Sequence, residues 1–188
     1  MQDRILSKAS ELIYRLGLRA FTMDDIAKEL GISKKTLYKY FSSKNQLIGE
    51  IVSCVVAHEK RTLDERLAFC SSWLEKLEAM LTLYTPEDIP FQWIETLYRY
   101  FPEEKKKIEE LSEYRQRIML PLIEEGQKTG MIRTDLRPEI ILIVINNIFI
   151  SPANQPAFGL EDITVNQILE QLKKLLFHGI LEKSGGIQ

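Results

Sequence analysis

The stretch that decides the fold runs over residues 21–44 and reads FTMDDIAKELGISKKTLYKYFSSK. Thr22, followed three residues later by Asp25, has the spacing of a capping box and predicts the start of a helix. Gly31 supplies the left-handed backbone that ends such a helix, and Ser33 is placed to cap a second one. The stretch therefore predicts two short helices joined by a sharp turn.

The second helix, predicted over 34–41, has two unlike faces because residues three and four apart share a side. Leu37 and Phe41 form an apolar face that can pack on the first helix. The opposite face carries cations, hydroxyls and aromatic rings, which suit phosphate oxygens and base edges in a DNA groove. The predicted groove contacts are Lys35, Thr36, Lys39 and Tyr40, with Lys34 at their edge, and the predicted phosphate contacts are Thr22, Tyr38 and Lys44.

A third helix is predicted to begin at Lys44, where Ser43 and Gln46 have the spacing of another capping box. The free amides of a helix N-terminus, together with a lysine ammonium, make a phosphate-binding site. Apolar residues continue at helical spacing toward Leu67 without a proline, so this helix is long enough to join two domains. We place the domain boundary near residue 46.

Charge is distributed unevenly along the chain. Residues 1–50 carry 9 Lys and Arg against 6 Asp and Glu, whereas the remainder carries 16 against 21, although the net charge is only -2. A local basic patch, rather than the total charge, attracts phosphate. The alternative is that the lysines only solvate an amphipathic helical hairpin, which explains the charges but not the capping boxes or the turn glycine.

A helix ending in glycine, a short turn and a recognition helix make a helix-turn-helix. The stretch also resembles the DNA-binding signature of the TetR family of bacterial transcriptional regulators. The matching residues are Thr22, Ile26, Ala27, Gly31, Ile32, Ser33, Thr36, Leu37, Tyr38, Phe41, Lys44 and Leu47. The resemblance implies an all-α fold, with a homeodomain-like three-helix domain over 1–46 and a helical effector-binding and dimerisation domain over 47–188.

The other segments also have helical patterns and contain no strand of convincing alternation. Residues 3–16 place apolar side chains at helical spacing and are predicted to complete the three-helix domain. Further helices are predicted over 103–128, 138–150 and 161–182, the second apolar on nearly all sides and therefore buried on most faces. The resemblance implies that the last two pair with their copies in a homodimer. One recognition helix also reads few base pairs, which independently favours a dimer.

Aromatic residues in the second half indicate a small-molecule pocket, because flat apolar surface with scattered polar groups is typical of ligand cavities. The predicted effector-binding residues are Trp73, Trp93, Tyr98, Tyr114, Met119 and Asn146. The alternative is that each of these side chains is simply part of the core. If an effector binds, the long helix from Lys44 is expected to tilt and so weaken DNA binding by linkage.

Other classes of function find little support in the sequence. The two histidines, His58 and His178, lie in separate predicted helices, and the chain has no glycine-rich phosphate loop, so we expect no enzyme, metal site or cofactor. Cys54 and Cys70 fit no metal-ligand spacing, although a redox role stays open. The sequence has no signal-peptide pattern and no membrane-spanning run, so a cytoplasmic location is expected. Together with the resemblance, this gives the expectation of a ligand-responsive repressor that a small-molecule effector releases from a palindromic operator. An architectural DNA-binding factor without an effector remains the alternative.

Overall fold

The computed structural model describes residues 1–82, 89–150 and 163–180, with the backbone alone for 147–150. Within these ranges the chain is predominantly helical, and an isolated antiparallel bridge joins the backbone of Pro90 and Thr164. The predicted all-α class is therefore confirmed. The helices are α1 (Gln2–Leu16), α2 (Met23–Leu30), α3 (Lys34–Tyr38), α4 (Lys44–Phe69), α5 (Trp73–Met80), α6 (Phe91–Tyr100), α7 (Pro102–Lys128), α8 (Pro138–Ile150) and α9 (Val165–Ile180).

The first three helices and the start of α4 enclose one hydrophobic core. Ile5 and Ala9 of α1 are fully buried in it, as are Ile26 of α2 and Leu37 of α3. Leu16, at the end of the predicted apolar stripe of α1, is instead 44% exposed. It is the last residue of α1, and Gly17 at once turns the chain away with a φ of 86°.

This first core extends beyond the N-terminal helices. Leu47 and Ile48 of α4 belong to it, and so do Leu97 of α6 and Phe101, which lies between α6 and α7. The predicted domain boundary near residue 46 remains a prediction. The first core continues across this position, since it contains buried residues on both sides of it. Helix α6, which was not predicted from the sequence, thus packs against the N-terminal helices and contributes to their core.

The second core surrounds α7, which packs against α4, α5, α6 and α8. It buries Leu63 of α4, Leu77 of α5, Ile123 of α7 and Leu169 of α9. Helix α7 begins one residue before its predicted start at 103 and contains Pro121. The outer residues of the predicted last helix, 161–162 and 181–182, lie outside the described ranges.

Helix α8 buries only part of its apolar surface within the chain. Ile141 and Ile145 are each 3% exposed, whereas Ile140, Ile143 and Val144 are about half exposed. The prediction that this helix is buried on most faces is therefore wrong for a single chain. The reason is geometrical: α8 packs on α7 along one side, and no described element of the same chain covers the other.

Candidate nucleic-acid interface and ligand cavity

Reciprocal hydrogen bonds between Thr22 and Asp25 fix the start of α2. The Thr22 hydroxyl accepts from the Asp25 amide at 3.2 Å, and the Asp25 carboxylate accepts from the Thr22 amide at 2.8 Å. The same carboxylate accepts from the Thr22 hydroxyl at 2.7 Å. These bonds from Thr22 lower the pKa of Asp25, because they stabilise its charged form. The predicted capping box is confirmed.

The turn between α2 and α3 has the predicted left-handed glycine. Gly31 has φ 64° and ψ 32°, which a residue with a Cβ adopts only at a cost. Ser33 then caps α3 by accepting from the Thr36 amide at 3.0 Å. The two hydroxyls of Ser33 and Thr36 also lie 2.8 Å apart, so the Thr36 side chain already has a local partner.

Helix α3 is shorter than the 34–41 span that the sequence predicted. It ends at Tyr38, and Tyr40 continues the chain in a turn by donating to the Leu37 carbonyl at 3.0 Å. Such i→i+3 bonds tighten the last turn of a helix, and here they bring the chain to the start of α4. The Ser43–Gln46 capping box forms only in part: Ser43 accepts from the Gln46 amide, but the Gln46 side chain accepts from Ser42.

Buried anchors orient the outer surface of α3. Leu37 and Phe41 are 0% and 2% exposed, while Tyr38 and Tyr40 are 48% and 42% exposed. The predicted DNA-contacting residues that are exposed are Thr22, Lys34, Lys35, Tyr38, Lys39 and Tyr40, and those that are half-buried are Thr36 and Lys44. The cationic, hydroxyl-bearing and aromatic side chains are thus exposed to solvent, and the buried Leu37 and Phe41 anchor the segment on the core.

The lysines of this surface differ in their electrostatic surroundings. Lys34 pairs with Asp24 at 2.5 Å, and this hydrogen bond raises the pKa of Lys34. In the described part of the chain, Lys35 and Lys39 form no ion pair within 4.0 Å. Their full charge is therefore available to a polyanion, whereas part of the Lys34 charge is already compensated.

Lys44, which was predicted to contact a phosphate, already donates hydrogen bonds within the protein. Its ammonium donates to the carbonyls of Arg19 at 2.8 Å and Phe21 at 2.6 Å, and lies 4.1 Å from the centre of the Phe21 ring. Burial and the positive charge of Arg19 lower the pKa of Lys44. An ammonium has three donors, so one is left for a phosphate while the other two tie α4 to the segment before α2.

A Lys44→Ala variant is therefore expected to lose stability as well as DNA affinity. The two carbonyls lose a charged donor, at a cost of about 1–3 kcal/mol, and binding should weaken alike on all sequences, with a salt slope smaller by about one per lost phosphate contact. Thermal unfolding and salt-dependent binding measure the two effects. Lys28→Ala, at an exposed position of α2, is the matched control. An unchanged melting temperature for Lys44→Ala would contradict the structural role.

A second feature is a cavity of about 280 Å³ between the N-terminal helices and the second core. Its walls come from α1, α4, α5, α6, α7, α8 and α9, and they are predominantly apolar. Trp93, Tyr98, Met119 and Asn146, four of the residues predicted to bind an effector, line this cavity. The structure thus brings together side chains that are separated by up to 53 positions in the chain.

Trp73 and Tyr114, which were also predicted to bind an effector, are not among the lining residues. The Trp73 indole donates to the Leu122 carbonyl at 2.8 Å, and its ring lies where a Cβ on Gly126 would be. The Tyr114 hydroxyl donates to Asp64, away from the cavity lining. Both rings therefore serve contacts of α7 with its neighbours.

The sequence reasoning missed a buried ion pair in the cavity wall. Glu59 of α4 is fully buried and accepts a hydrogen bond from Arg115 of α7. Arg115 also donates to the carbonyls of Met80 at 2.5 Å and Thr82 at 2.8 Å, so it satisfies groups at the C-terminal end of α5. The sequence does contain a signal for this pair, because each charged residue stands at a position of an apolar stripe. Glu59, for example, lies four residues before the buried Leu63 and therefore on the same face of α4.

The reasoning also missed the contribution of α1. Ser10, Ile13 and Tyr14 line the cavity, although they belong to the N-terminal helices. The Tyr14 ring meets the Trp93 ring edge to face, with 5.4 Å between centroids. Nearby, the Arg19 guanidinium lies 4.4 Å from the centre of the Tyr100 ring. An occupant of the cavity would therefore touch α1 and α6 directly.

The described residues offer little else with obvious chemistry. They contain no cluster of three or more His, Cys, Asp or Glu side chains arranged to hold a metal ion. None of their helices combines the length and apolar character needed to cross a bilayer. Cys54 and Cys70 are free. Cys54 lies in α4 and Cys70 directly follows its last residue, so sixteen positions at helical rise separate them by about 24 Å. This distance rules out a bond between the two within one chain.

Comparison with known proteins agrees with this geometry. The family model for bacterial regulatory proteins of the tetR family matches residues 5–51. YvaF of Bacillus subtilis (strain 168), an uncharacterised HTH-type transcriptional regulator, is 30% identical over 189 residues, which cover 96% of this chain and 95% of the relative. KstR2 of Mycolicibacterium smegmatis, an HTH-type transcriptional repressor, is 23% identical, and the alignment covers 98% of this chain and 92% of the relative.

A solved structure has a similar fold over nearly the whole length of this chain. It is the crystal structure of a proposed transcriptional regulator from Saccharomonospora viridis in complex with choline. The TM-score is 0.76 at 22% identity, and the match covers 97% of this chain and 98% of that one. The two proteins therefore share the overall fold.

Proposed function

The chain belongs to the TetR family of bacterial transcriptional regulators, and from this membership we propose that it is a cytoplasmic, homodimeric repressor released from a palindromic operator by a small-molecule effector. The observation that carries the DNA-binding part is the outer surface of α3 and of the turn that directly follows it. Lys35 and Lys39 project there without an ion pair among the described residues, beside the exposed rings of Tyr38 and Tyr40. Cations and hydroxyls in this arrangement suit phosphates and base edges.

Selection of duplexes from a random pool tests the proposal. A dimeric helix-turn-helix protein requires two half-sites about one helical turn apart, or a multiple of it, so the enriched sequences should contain an inverted repeat. Specific binding should exceed random binding by at least about 10³-fold. Enrichment of many weak and unrelated sites would instead favour an architectural factor.

The second copy is proposed to bind through α8 and α9, within the predicted spans 138–150 and 161–182. Helix α8 exposes Ile140, Ile143 and Val144, and Leu175 of α9 is 73% exposed. A Cβ on Gly179 of α9 would meet nothing within 4 Å, which leaves room for a close-packed helix. Apolar surface of this kind is typical of an interface.

Sedimentation at micromolar concentration should therefore show a dimer, and an Ile143→Glu/Leu175→Glu variant should sediment as a monomer, because two charges per chain would be buried unpaired. Phe69→Glu is the matched control, since Phe69 is an exposed apolar residue outside both helices. A monomeric natural chain would contradict the proposed assembly.

The cavity is the proposed effector site, and it offers two routes to the DNA-binding surface. One is a tilt of α4, the continuous element between both regions. The other is the contact of α6 with α1 through Trp93 and Tyr14. An occupant that favours one position of these helices changes DNA affinity by the same factor by which DNA changes its own affinity. Structures with and without an effector that superpose in both α4 and α1 would contradict this coupling.

A further inference from the structure

The charges in the cavity wall are already matched to each other. Glu59 and Arg115 both line the cavity and are joined by a hydrogen bond. The Arg115 guanidinium is further engaged by the Met80 and Thr82 carbonyls. A charged ligand would have to break this pair or remain unpaired in an apolar space, and either choice is unfavourable. The cavity therefore selects against ions of both signs.

A second, independent observation concerns the hydroxyl of Tyr98. The residue lines the cavity, and its hydroxyl oxygen is buried with no hydrogen-bond partner among the described residues. Buried polar groups are nearly always paired, so an unpaired one requires an explanation. Burial, with a smaller contribution from Glu109, raises the pKa of Tyr98 to about 12. The hydroxyl therefore keeps its proton at neutral pH, as an ordinary tyrosine does, and is a donor without an acceptor. Because its oxygen is covered, a ligand in the cavity reaches it only with a small shift of the Tyr98 ring or of a neighbouring side chain.

We infer that the cavity takes an uncharged, largely apolar molecule whose one hydrogen-bond acceptor meets the Tyr98 hydroxyl. This inference rests on the proposed effector cavity and specifies the class of its ligand. The cavity volume is roughly nine times the ~30 Å³ that one water occupies in the liquid. The molecule therefore has on the order of ten non-hydrogen atoms.

Three probes with the same eight-carbon chain test the charge requirement: 1-octanol, octanoate and octyltrimethylammonium. In a Trp73→Phe variant, Trp93 is the one remaining tryptophan and reports from the cavity wall. The fluorescence of Trp93 should change as each probe binds. The Kd obtained for 1-octanol should be about tenfold or more below the Kd for octanoate or octyltrimethylammonium. The rise in melting temperature of the natural chain should give the same ranking. Tighter binding of either ion would overturn the inference.

The variant Tyr98→Phe tests the hydrogen bond. Because the hydroxyl has no partner in the free protein, its removal should leave the melting temperature of the free protein unchanged or raise it. The affinity for 1-octanol should nevertheless fall by about three- to tenfold. Tyr114→Phe, outside the cavity lining, is the control for affinity. A lower melting temperature of free Tyr98→Phe, or an unchanged 1-octanol affinity, would overturn the assigned contact.

The proposed function and the ligand class can fail separately, because probe binding is measured without DNA. A protein that binds 1-octanol and keeps its operator bound supports the ligand class and contradicts the coupling of the cavity to DNA. A protein that binds its operator but none of the three probes overturns the ligand class and leaves the DNA-binding proposal intact.

Discussion

An Arg115→Met variant is expected to lose about 3–5 kcal/mol of unfolding free energy. Glu59 is fully buried and Arg115 is 7% exposed, so removal of the guanidinium leaves a carboxylate in an apolar wall without its cation. The carbonyls of Met80 and Thr82 lose a donor at the same time. Since the whole free energy of unfolding of a domain is about 5–15 kcal/mol, this single change threatens the fold.

Urea denaturation at fixed protein concentration measures the effect, because the stability of a dimer depends on concentration. The double variant Glu59→Leu/Arg115→Met is the informative control. It removes both charges, and an apolar pair of similar volume is often as stable as a buried ion pair. It should therefore be more stable than Arg115→Met alone. Equal losses in the single and double variants would show that the buried carboxylate is not the cause.

A Lys35→Ala/Lys39→Ala variant is expected to bind its operator about 10²–10³-fold more weakly, because a dimer loses four cationic contacts. The slope of log K against log salt should become smaller by about 3–4. Fluorescence anisotropy on a labelled operator, titrated at several salt concentrations, gives both quantities. In the single variants, Lys39→Ala should also reduce the preference for the operator over random DNA if Lys39 contacts bases.

Lys106→Ala/Lys128→Ala is the matched control for this experiment. It removes the same charge from exposed positions of α7, far along the chain from the recognition helix. Its salt slope should stay close to that of the natural chain. If both double variants lose affinity equally, net charge rather than the α3 surface is responsible, and the proposed interface is wrong.

Local chemistry made the N-terminal helices predictable. The Thr22–Asp25 pair and Gly31 act through bonds within four residues, so their spacing in the sequence specifies the geometry found in the structure. The apolar face of α3 was also evident from Leu37 and Phe41. The length of α3 was not evident from the sequence. The i→i+3 hydrogen bonds that end the helix are close in free energy to the i→i+4 bonds that would continue it.

The cavity was only partly predictable, because it depends on long-range packing. Trp93 was identified as one member of an aromatic cluster, but Trp73 has a similar sequence context and packs against Gly126 instead. Helical periodicity does not determine which neighbour covers a ring. Tyr14 was missed since its role arises where α6 meets α1, a contact between residues 79 positions apart. The one sequence signal of the Glu59–Arg115 pair is that each charge interrupts an apolar stripe, and helical periodicity does not show which of the many charges on α4 and α7 are paired.

The most direct measurement of the central claim compares a selected operator with a random duplex of equal length, at the same salt concentrations, against the natural chain. The account predicts binding to the operator that is tighter by at least about 10³-fold, with a steep decline in added salt for both duplexes. Equal affinity for the two duplexes, or no binding to either at low salt, would contradict a reading surface on α3.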